Sequence, residues 1–248
     1  MSRNVVFAPN SYYHVYNRGT ESRTIFNNEY DYERFLALIY ICNNNESVKI
    51  ENVSRPTKDE RGSTLLENVL DIERDKILVD VCSYCLMPNH FHFILREKEE
   101  GGISKFMQKI MTAYTMYFNN KNERNGVLFQ GRFKATMADT DNYLKYLISY
   151  IHLNPVKLID PTWKEEGIKN RQEAENFLKN YRHSSYLDYC GMNRPEEVLI
   201  NKNSLPGYFL SLKGFQSMVT EWFGYSKKLS EVEPRSAKLN IKELKMGK

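Results

Sequence analysis

The segment from Lys76 to Arg96 constrains the fold more than any other part of the chain. Lys76–Leu86 contains an alternating, strand-like run, and Phe91–Arg96 reads as a second strand. Only Met87-Pro88-Asn89-His90 separates the two, and proline and asparagine are both turn-forming residues. The pattern therefore predicts two strands joined by a tight hairpin or a kinked junction.

The rest of the periodicity indicates strands and helices in a mixed order. Aromatic and β-branched residues make Tyr12–Asn17 a predicted strand. Apolar residues at helical spacing predict helices at Asp31–Cys42, Ile103–Phe118, Asp141–Asn154 (closed by Pro155) and near Gln172–Tyr181, with Val127–Ala138 extended. The order strand, helix, strand, strand, helix predicts an α+β chain with a ferredoxin-like split βαβ arrangement.

The chain divides into one main domain and an extension. We expect the domain to occupy residues 1–190, with a polar insertion at about 43–75 that contains a short helix near Leu65–Ile72. Residues 191–248 are predicted to form a mostly helical or irregular extension with a net positive charge.

Composition excludes several classes of protein. At 41% hydrophobic and 13% aromatic residues the chain is not wholly disordered, and its four irregularly spaced cysteines do not suggest a disulfide framework. It lacks both the uninterrupted apolar run of a membrane span and the N-terminal apolar run of a signal peptide. We therefore expect a cytoplasmic protein that does not bind membranes.

The positive charge is unevenly distributed. A formal net charge of +4 is too small to identify a nucleic-acid-binding protein, but residues 101–160 carry 8 basic and 4 acidic side chains. This asymmetry weakly favours an anionic partner. The alternative, a solvated helix face and a charged tail, is equally consistent with the counts.

His90-Phe91-His92 is a candidate metal half-site. On a strand, residues two apart point to the same face, so both imidazoles project together while Phe91 points the other way. Two adjacent imidazoles suit a divalent cation but need a further ligand from elsewhere. The alternative is a pair of partly exposed histidines on a sheet surface.

The predicted helix Asp141–Asn154 carries a second candidate set. Tyr143, Tyr146, Tyr150 and Asn154 form a polar-aromatic stripe, and the last two are one helical turn apart. A phenol oxygen can act as a nucleophile and an amide oxygen can bind a hard cation. The alternative is that the tyrosines pack in the core and Asn154 caps the helix before Pro155.

Taken in order, these motifs resemble the single-tyrosine HUH transposases, most closely the REP-associated tyrosine transposases. The matching segments span residues 12–186, and they are Tyr13–Gly19 with Ile25-Phe26, Leu86–Phe93, Leu128–Phe133, Tyr150–Val156 and Tyr181–Tyr186. The family usually has tryptophan where Tyr181 stands. Several motifs in one order are far more specific than any single motif.

The resemblance implies a ferredoxin-like domain with a central antiparallel sheet, a function and a set of residue roles. It also makes the basic extension 191–248 a candidate DNA-binding arm. It implies an enzyme that cleaves and rejoins single-stranded DNA near hairpins through a 5′-phosphotyrosine, using Mg²⁺ or Mn²⁺. Tyr150 matches the nucleophile, and His90, His92 and Asn154 match the metal ligands, although relatives often have Gln, Glu or Asp in place of Asn154. Relatives occur as monomers and as dimers, so a homodimer is compatible with the resemblance.

Four basic residues are predicted phosphate contacts: Arg132, Lys134, Lys105 and Lys109. His152 is a weak candidate for the general base, and His14 either lines the site or is hydrogen-bonded within its strand. The alternative function is a non-cleaving, domesticated DNA-binding protein of the same fold. Replication initiators or relaxases of related chemistry, and a metal-dependent phosphoesterase that uses water, are further alternatives.

Overall fold

A computed structural model describes residues 5–46 and 64–221 of the chain. Its strands are β1 (Tyr12–Arg18), β2 (Val79–Met87), β3 (His90–Glu97) and β4 (Lys134–Met137). Its helices are α1 (Glu29–Cys42), α2 (Gly102–Lys121), α3 (Asp141–Leu153), α4 (Trp163–Glu166), α5 (Arg171–Asn180), α6 (Tyr186–Tyr189) and α7 (Leu212–Glu221).

The four strands form one antiparallel sheet in the order β2-β3-β1-β4. Strands β1 and β2, joined through α1, run in the same direction with β3 inserted between them, which is the split βαβ arrangement. The predicted α+β, ferredoxin-like fold is confirmed. The extended segment predicted at 127–138 is a regular strand only over Lys134–Met137.

The predicted hairpin is a two-residue turn, since Met87 pairs directly with His90. The turn is held against the loop after β1. The carbonyl oxygen of Pro88 accepts hydrogen bonds from the amides of Ile25 and Phe26, at 2.8 and 3.1 Å, and the amide of Gly19 donates to the carbonyl oxygen of Asn89 at 2.9 Å. A Cβ on Gly19 would lie 2.3 Å from the carbonyl oxygen of Arg23, so this close approach requires glycine.

The two faces of the sheet have different chemistry because side chains alternate along each strand. Phe91 and Phe93 point towards α1 and α2, where the ring of Phe91 lies 5.3 Å from Phe35 and that of Phe93 lies 6.3 Å from Phe106. The opposite face carries the histidines and faces α3. Burial of Phe91 and Phe93 therefore fixes which face presents His92.

Helix α3 begins at a conventional N-cap, and a 3₁₀ helix follows it directly. The hydroxyl oxygen of Thr140 accepts a hydrogen bond from the amide of Tyr143 at 3.2 Å. Pro155 does not end the helical path, because Asn154–Leu158 continues as a 3₁₀ helix. Asn154 has helical dihedrals (φ −55°, ψ −38°), so it is not a left-handed cap.

The segment after α5 covers the outer edge of β2. The amide of Leu86 donates to the carbonyl oxygen of His183 at 2.8 Å, and the amide of Ser185 donates to that of Tyr84 at 3.0 Å. Further along, Phe215 of α7 lies against the side of α3 that carries His152, with ring centroids 5.2 Å apart. The described part of the predicted extension thus contributes to the core next to α3. The domain boundary at residue 190 stays a prediction.

The predicted insertion is described only in part. Residues 47–63 lie outside the described ranges, as do 222–248 at the end of the extension. In the rest of the insertion, Leu65, Leu66 and Val69 are buried in the core. The short helix predicted near Leu65–Ile72 is a 3₁₀ helix at Glu67–Val69. Within 5–46 and 64–221, no helix combines the length and apolar character needed to cross a membrane.

Candidate active site

The two histidines of β3 lie side by side on the face of the sheet that α3 covers. Their ring centroids are 5.0 Å apart. His92 is 2% exposed, whereas His90, at the start of the strand, is partly exposed. The predicted common orientation of the two imidazoles is what the structure has.

The hydrogen bonds around His90 indicate which of its nitrogens carries the proton. The side-chain nitrogen Nδ2 of Asn89 donates to the carbonyl oxygen of Ser22 at 3.1 Å, which turns Asn89 Oδ1 towards His90. His90 Nδ1 lies 2.6 Å from that oxygen and therefore donates its proton to it. His90 Nε2 is left with a free lone pair.

Asn154 brings an oxygen to that lone pair. Asn154 Oδ1 lies 3.4 Å from His90 Nε2, and the Asn154 side chain is buried. As placed, both atoms are acceptors, so they suit a cation held between them. Adjacent ligands of a six-coordinate Mg²⁺, each about 2.1 Å from the ion, lie about 3 Å apart. The donor set therefore fits a divalent cation.

Tyr150 faces the same place from α3. Its ring centroid is 5.7 Å from that of His92 and 6.2 Å from that of His14, with both contacts edge-on. Tyr146 stacks on its other side at 5.9 Å, and the Tyr150 side chain stays partly exposed. The structure thus brings Tyr150, His90, His92 and Asn154 together, as the family resemblance implies.

Burial keeps the site histidines neutral. It lowers the pKa of His90 to about 4 and that of His14 to about 3, and it holds the pKa of His92 well below its usual range. The positive charge of Lys164 lowers the pKa of both His14 and His92 further. Neutral imidazole is the form that binds metal ions.

Within the described ranges, no cluster of three or more histidine, cysteine, aspartate or glutamate side chains could hold a metal ion. The candidate site differs from such a cluster because its third donor is the amide oxygen of Asn154. Asn154 therefore gives the site no negative charge of its own.

Two lysines, Lys164 and Lys134, lie on the same side of the sheet as the candidate site. Lys164 lies with its amine 4.7 Å from the ring centroid of Tyr150. Lys134 is paired with Tyr16 in the sheet, so it emerges on the histidine face, and Arg132 is exposed just before it. Lys164 lies outside the motifs of the sequence, and only the fold of the chain after α3 brings it to Tyr150.

Lys105 and Lys109 lie elsewhere. Both are on α2, which covers the opposite face of the sheet from the histidines. The amine of Lys105 donates to Asn45 Oδ1, and that of Lys109 donates to the carbonyl oxygens of Asn44 and Glu46 at 2.5 and 2.6 Å. Neither amine approaches the Tyr150 cluster.

His14 belongs to the site and His152 does not. His14 Nε2 is 2.9 Å from His92 Nδ1, so His14 both lines the site and is hydrogen-bonded. His152 points to the other side of α3, where its Nε2 is 2.8 Å from the Ser185 hydroxyl oxygen. That position removes His152 as a base for Tyr150.

Comparisons with known proteins agree with the sequence motifs. The family model described as IS200-like transposase matches residues 7–154, which include β1, the histidine strand and α3. The chain therefore belongs to the IS200-like transposases, a class of enzymes that act on DNA, and the predicted resemblance is confirmed.

Two solved structures are similar at low identity. One is a REP-associated tyrosine transposase bound to a REP hairpin, with 13% identity over 79% of this chain and 90% of that chain and a TM-score of 0.46. The other is the tRNA(His) guanylyltransferase of Saccharomyces cerevisiae, with 15% identity over 84% and 86% and a TM-score of 0.34. No curated protein matches the chain.

Proposed function

We propose that this chain is a metal-dependent tyrosine transposase that cleaves and rejoins single-stranded DNA near hairpins through a 5′-phosphotyrosine. The observation that supports this proposal most strongly is that Tyr150 of α3 faces two neutral histidines, His90 and His92 of β3. Tyr150 lies 5.7 Å from His92 between ring centroids, and Asn154 reaches His90 one helical turn later. A structural core does not require this combination of groups.

Three side chains would hold the divalent ion: His90 through Nε2, Asn154 through Oδ1, and His92. When bound, Mg²⁺ or Mn²⁺ would act as a Lewis acid that neutralises charge on the scissile phosphate. The low pKa of His90, about 4, leaves its imidazole available as a ligand throughout the neutral range.

Tyr150 would carry out the covalent step. Its phenol oxygen attacks phosphorus, the bond from phosphorus to the 3′ oxygen breaks, and the 3′ oxygen takes up a proton as the phenol releases one. The product is a 5′-phosphotyrosine and a free 3′-OH. Attack by a 3′-OH on the phosphotyrosine reverses the exchange and joins strands, so no energy cofactor is needed.

Basic groups next to the site would bind the DNA backbone. Lys164 lies against Tyr150, Lys134 emerges on the histidine face of the sheet, and Arg132 is exposed two residues before Lys134, so all three suit phosphates near the cut. Lys105 and Lys109 would reach only DNA on the α1–α2 face. We therefore assign the local contacts to the first three.

The test is to trap the covalent adduct. Purified protein is incubated with end-labelled hairpin oligonucleotides with single-stranded flanks, with Mn²⁺ or with EDTA, and separated on a denaturing gel. We expect a protein–DNA adduct with Mn²⁺ only, lost in Tyr150→Phe. Tyr146→Phe is the matched control, because Tyr146 lies one turn earlier and stacks on Tyr150.

Two results would contradict the proposal. Hairpin binding without an adduct, over a set of hairpins with varied flanks, would favour the non-cleaving DNA-binding protein. Cleavage that survives Tyr150→Phe would favour a phosphoesterase that uses water.

A further inference from the structure

The contact between His14 and His92 has a direct chemical consequence. His14 Nε2 and His92 Nδ1 are 2.9 Å apart, and both side chains are buried, at 8% and 2% exposure. A neutral imidazole has one N–H and one lone pair. One of the two histidines must therefore donate its proton to the other.

The direction of that hydrogen bond decides what His92 can do. If His92 Nδ1 donates, its Nε2 keeps a lone pair and can bind a metal ion. If His14 donates, the proton of His92 is on Nε2, and that nitrogen cannot bind a metal ion until it loses the proton.

The neighbouring histidine shows the same arrangement from an independent partner. His90 Nδ1 donates to Asn89 Oδ1 at 2.6 Å, which leaves Nε2 with its lone pair. A hydrogen-bond partner thus stands at Nδ1 of each strand histidine, although the partner of His90 comes from the hairpin turn and that of His92 comes from β1. In the sheet, Tyr16 and not His14 is the direct pairing partner of His92, so His14 reaches His92 diagonally across the two strands.

We propose that His14 is a positioning residue that accepts the Nδ1 proton of His92 and thereby holds Nε2 ready for the divalent ion. The proposal rests on the proposed role of His92 as a metal ligand. Outer partners of this kind fix the tautomer and orientation of the ligating ring. His14 itself touches neither metal nor DNA in this role.

The first test needs no substitution, metal or DNA. Two-bond ¹H–¹⁵N correlation spectra of the full chain, with ¹⁵N-labelled histidine, identify which nitrogen of each ring is protonated. We expect His92 and His90 to be protonated on Nδ1 and His14 to have an unprotonated Nε2. Protonation of His92 on Nε2 would overturn the proposal, whatever the outcome of the adduct assay.

The second test compares two substitutions at one position. In His14→Gln, the amide oxygen can occupy the place of Nε2 and still accept a proton, whereas His14→Phe keeps the size of the ring without an acceptor. We expect Mn²⁺ affinity by calorimetry to fall by about 10- to 100-fold in the Phe variant and to stay near wild type in the Gln variant.

Both variants are also compared by the tautomer spectrum of His92 and by urea unfolding. A Phe variant that remains folded and binds Mn²⁺ as tightly as wild type would overturn the proposal. Equal losses of affinity in both variants would do the same, because they would indicate a packing role. Failure of the proposed function is separate, since it appears as a missing adduct in wild-type protein.

Discussion

Removing one partner of the buried Arg194–Asp188 pair should strongly destabilise the protein. Arg194 donates to Asp188 Oδ1 through Nε at 2.7 Å, and its Nη1 and Nη2 donate to the carbonyl oxygens of Arg182 and Ser184, each at 2.7 Å. The two side chains are 4% and 0% exposed. Arg194→Met would leave a buried carboxylate and two carbonyl oxygens without this donor.

The expected loss of unfolding free energy follows from the groups that lose their donor. Breaking a buried ion pair by removing one partner typically costs about 3–5 kcal/mol, so we expect about 4 kcal/mol for Arg194→Met. That is a large share of the roughly 5–15 kcal/mol that stabilises a typical native protein. In the double variant Asp188→Leu with Arg194→Met, the unpaired charge is gone, and we expect about half of the loss to be recovered.

Urea unfolding followed by tryptophan fluorescence measures these free energies. Arg182→Met is the matched control, because Arg182 is 66% exposed and its carboxylate partner Glu196 is 3.9 Å away, so its loss should cost below about 1 kcal/mol. The reasoning would be refuted by an Arg194→Met variant within about 1 kcal/mol of wild type. A double variant less stable than the single one would also refute it.

Three further predictions concern the site and its surroundings. Asn154→Leu should weaken Mn²⁺ binding by at least about tenfold and Asn154→Asp should strengthen it, because a carboxylate is the better ligand for a hard cation; calorimetry that finds equal affinities would contradict this. Lys164→Met should slow adduct formation about tenfold, or about 1.4 kcal/mol. The control is Lys169→Met, because the Lys169 amine pairs with Glu166 at 3.0 Å; this variant should not slow adduct formation in the same single-turnover gel assay. Burial lowers the pKa of His152 to about 3, so the unfolded chain binds the extra proton below pH 6.5. The free energy of unfolding linked to His152 is therefore at its full value above pH 6.5, and it falls by about 1.4 kcal/mol per pH unit towards pH 3. Urea unfolding at pH 6.5 and 5.0 should show a weaker pH dependence in His152→Gln than in wild type.

Local sequence was enough to predict the strands and helices that build the site. The Pro88-Asn89 turn and the alternation of β3 fix which residues share a face with His92. The one-turn spacing of Tyr150 and Asn154 fixes their common direction. These are properties of short segments, so they can be predicted before the fold is known.

The remaining features depend on which elements meet in space. Charge counting predicted Lys105 and Lys109 as phosphate contacts near the site, yet α2 covers the face opposite the histidines. The approach of Lys164 to Tyr150 depends on the turns that follow α3. Likewise, His14 meets His92 only because β1 pairs with β3. None of these encounters leaves a periodic signal in the chain.

The alternation along β3 has an evolutionary consequence. Phe91 and Phe93 support the core on one side, and His90 and His92 serve the site on the other, so inherited changes at successive positions affect different traits. Under the proposed function, a lineage that replaces one of the histidines would lose strand transfer and still inherit the scaffold that Phe91 and Phe93 support. Such a scaffold would still carry Lys164 and Lys134 next to the site, as the alternative of a non-cleaving DNA-binding protein requires.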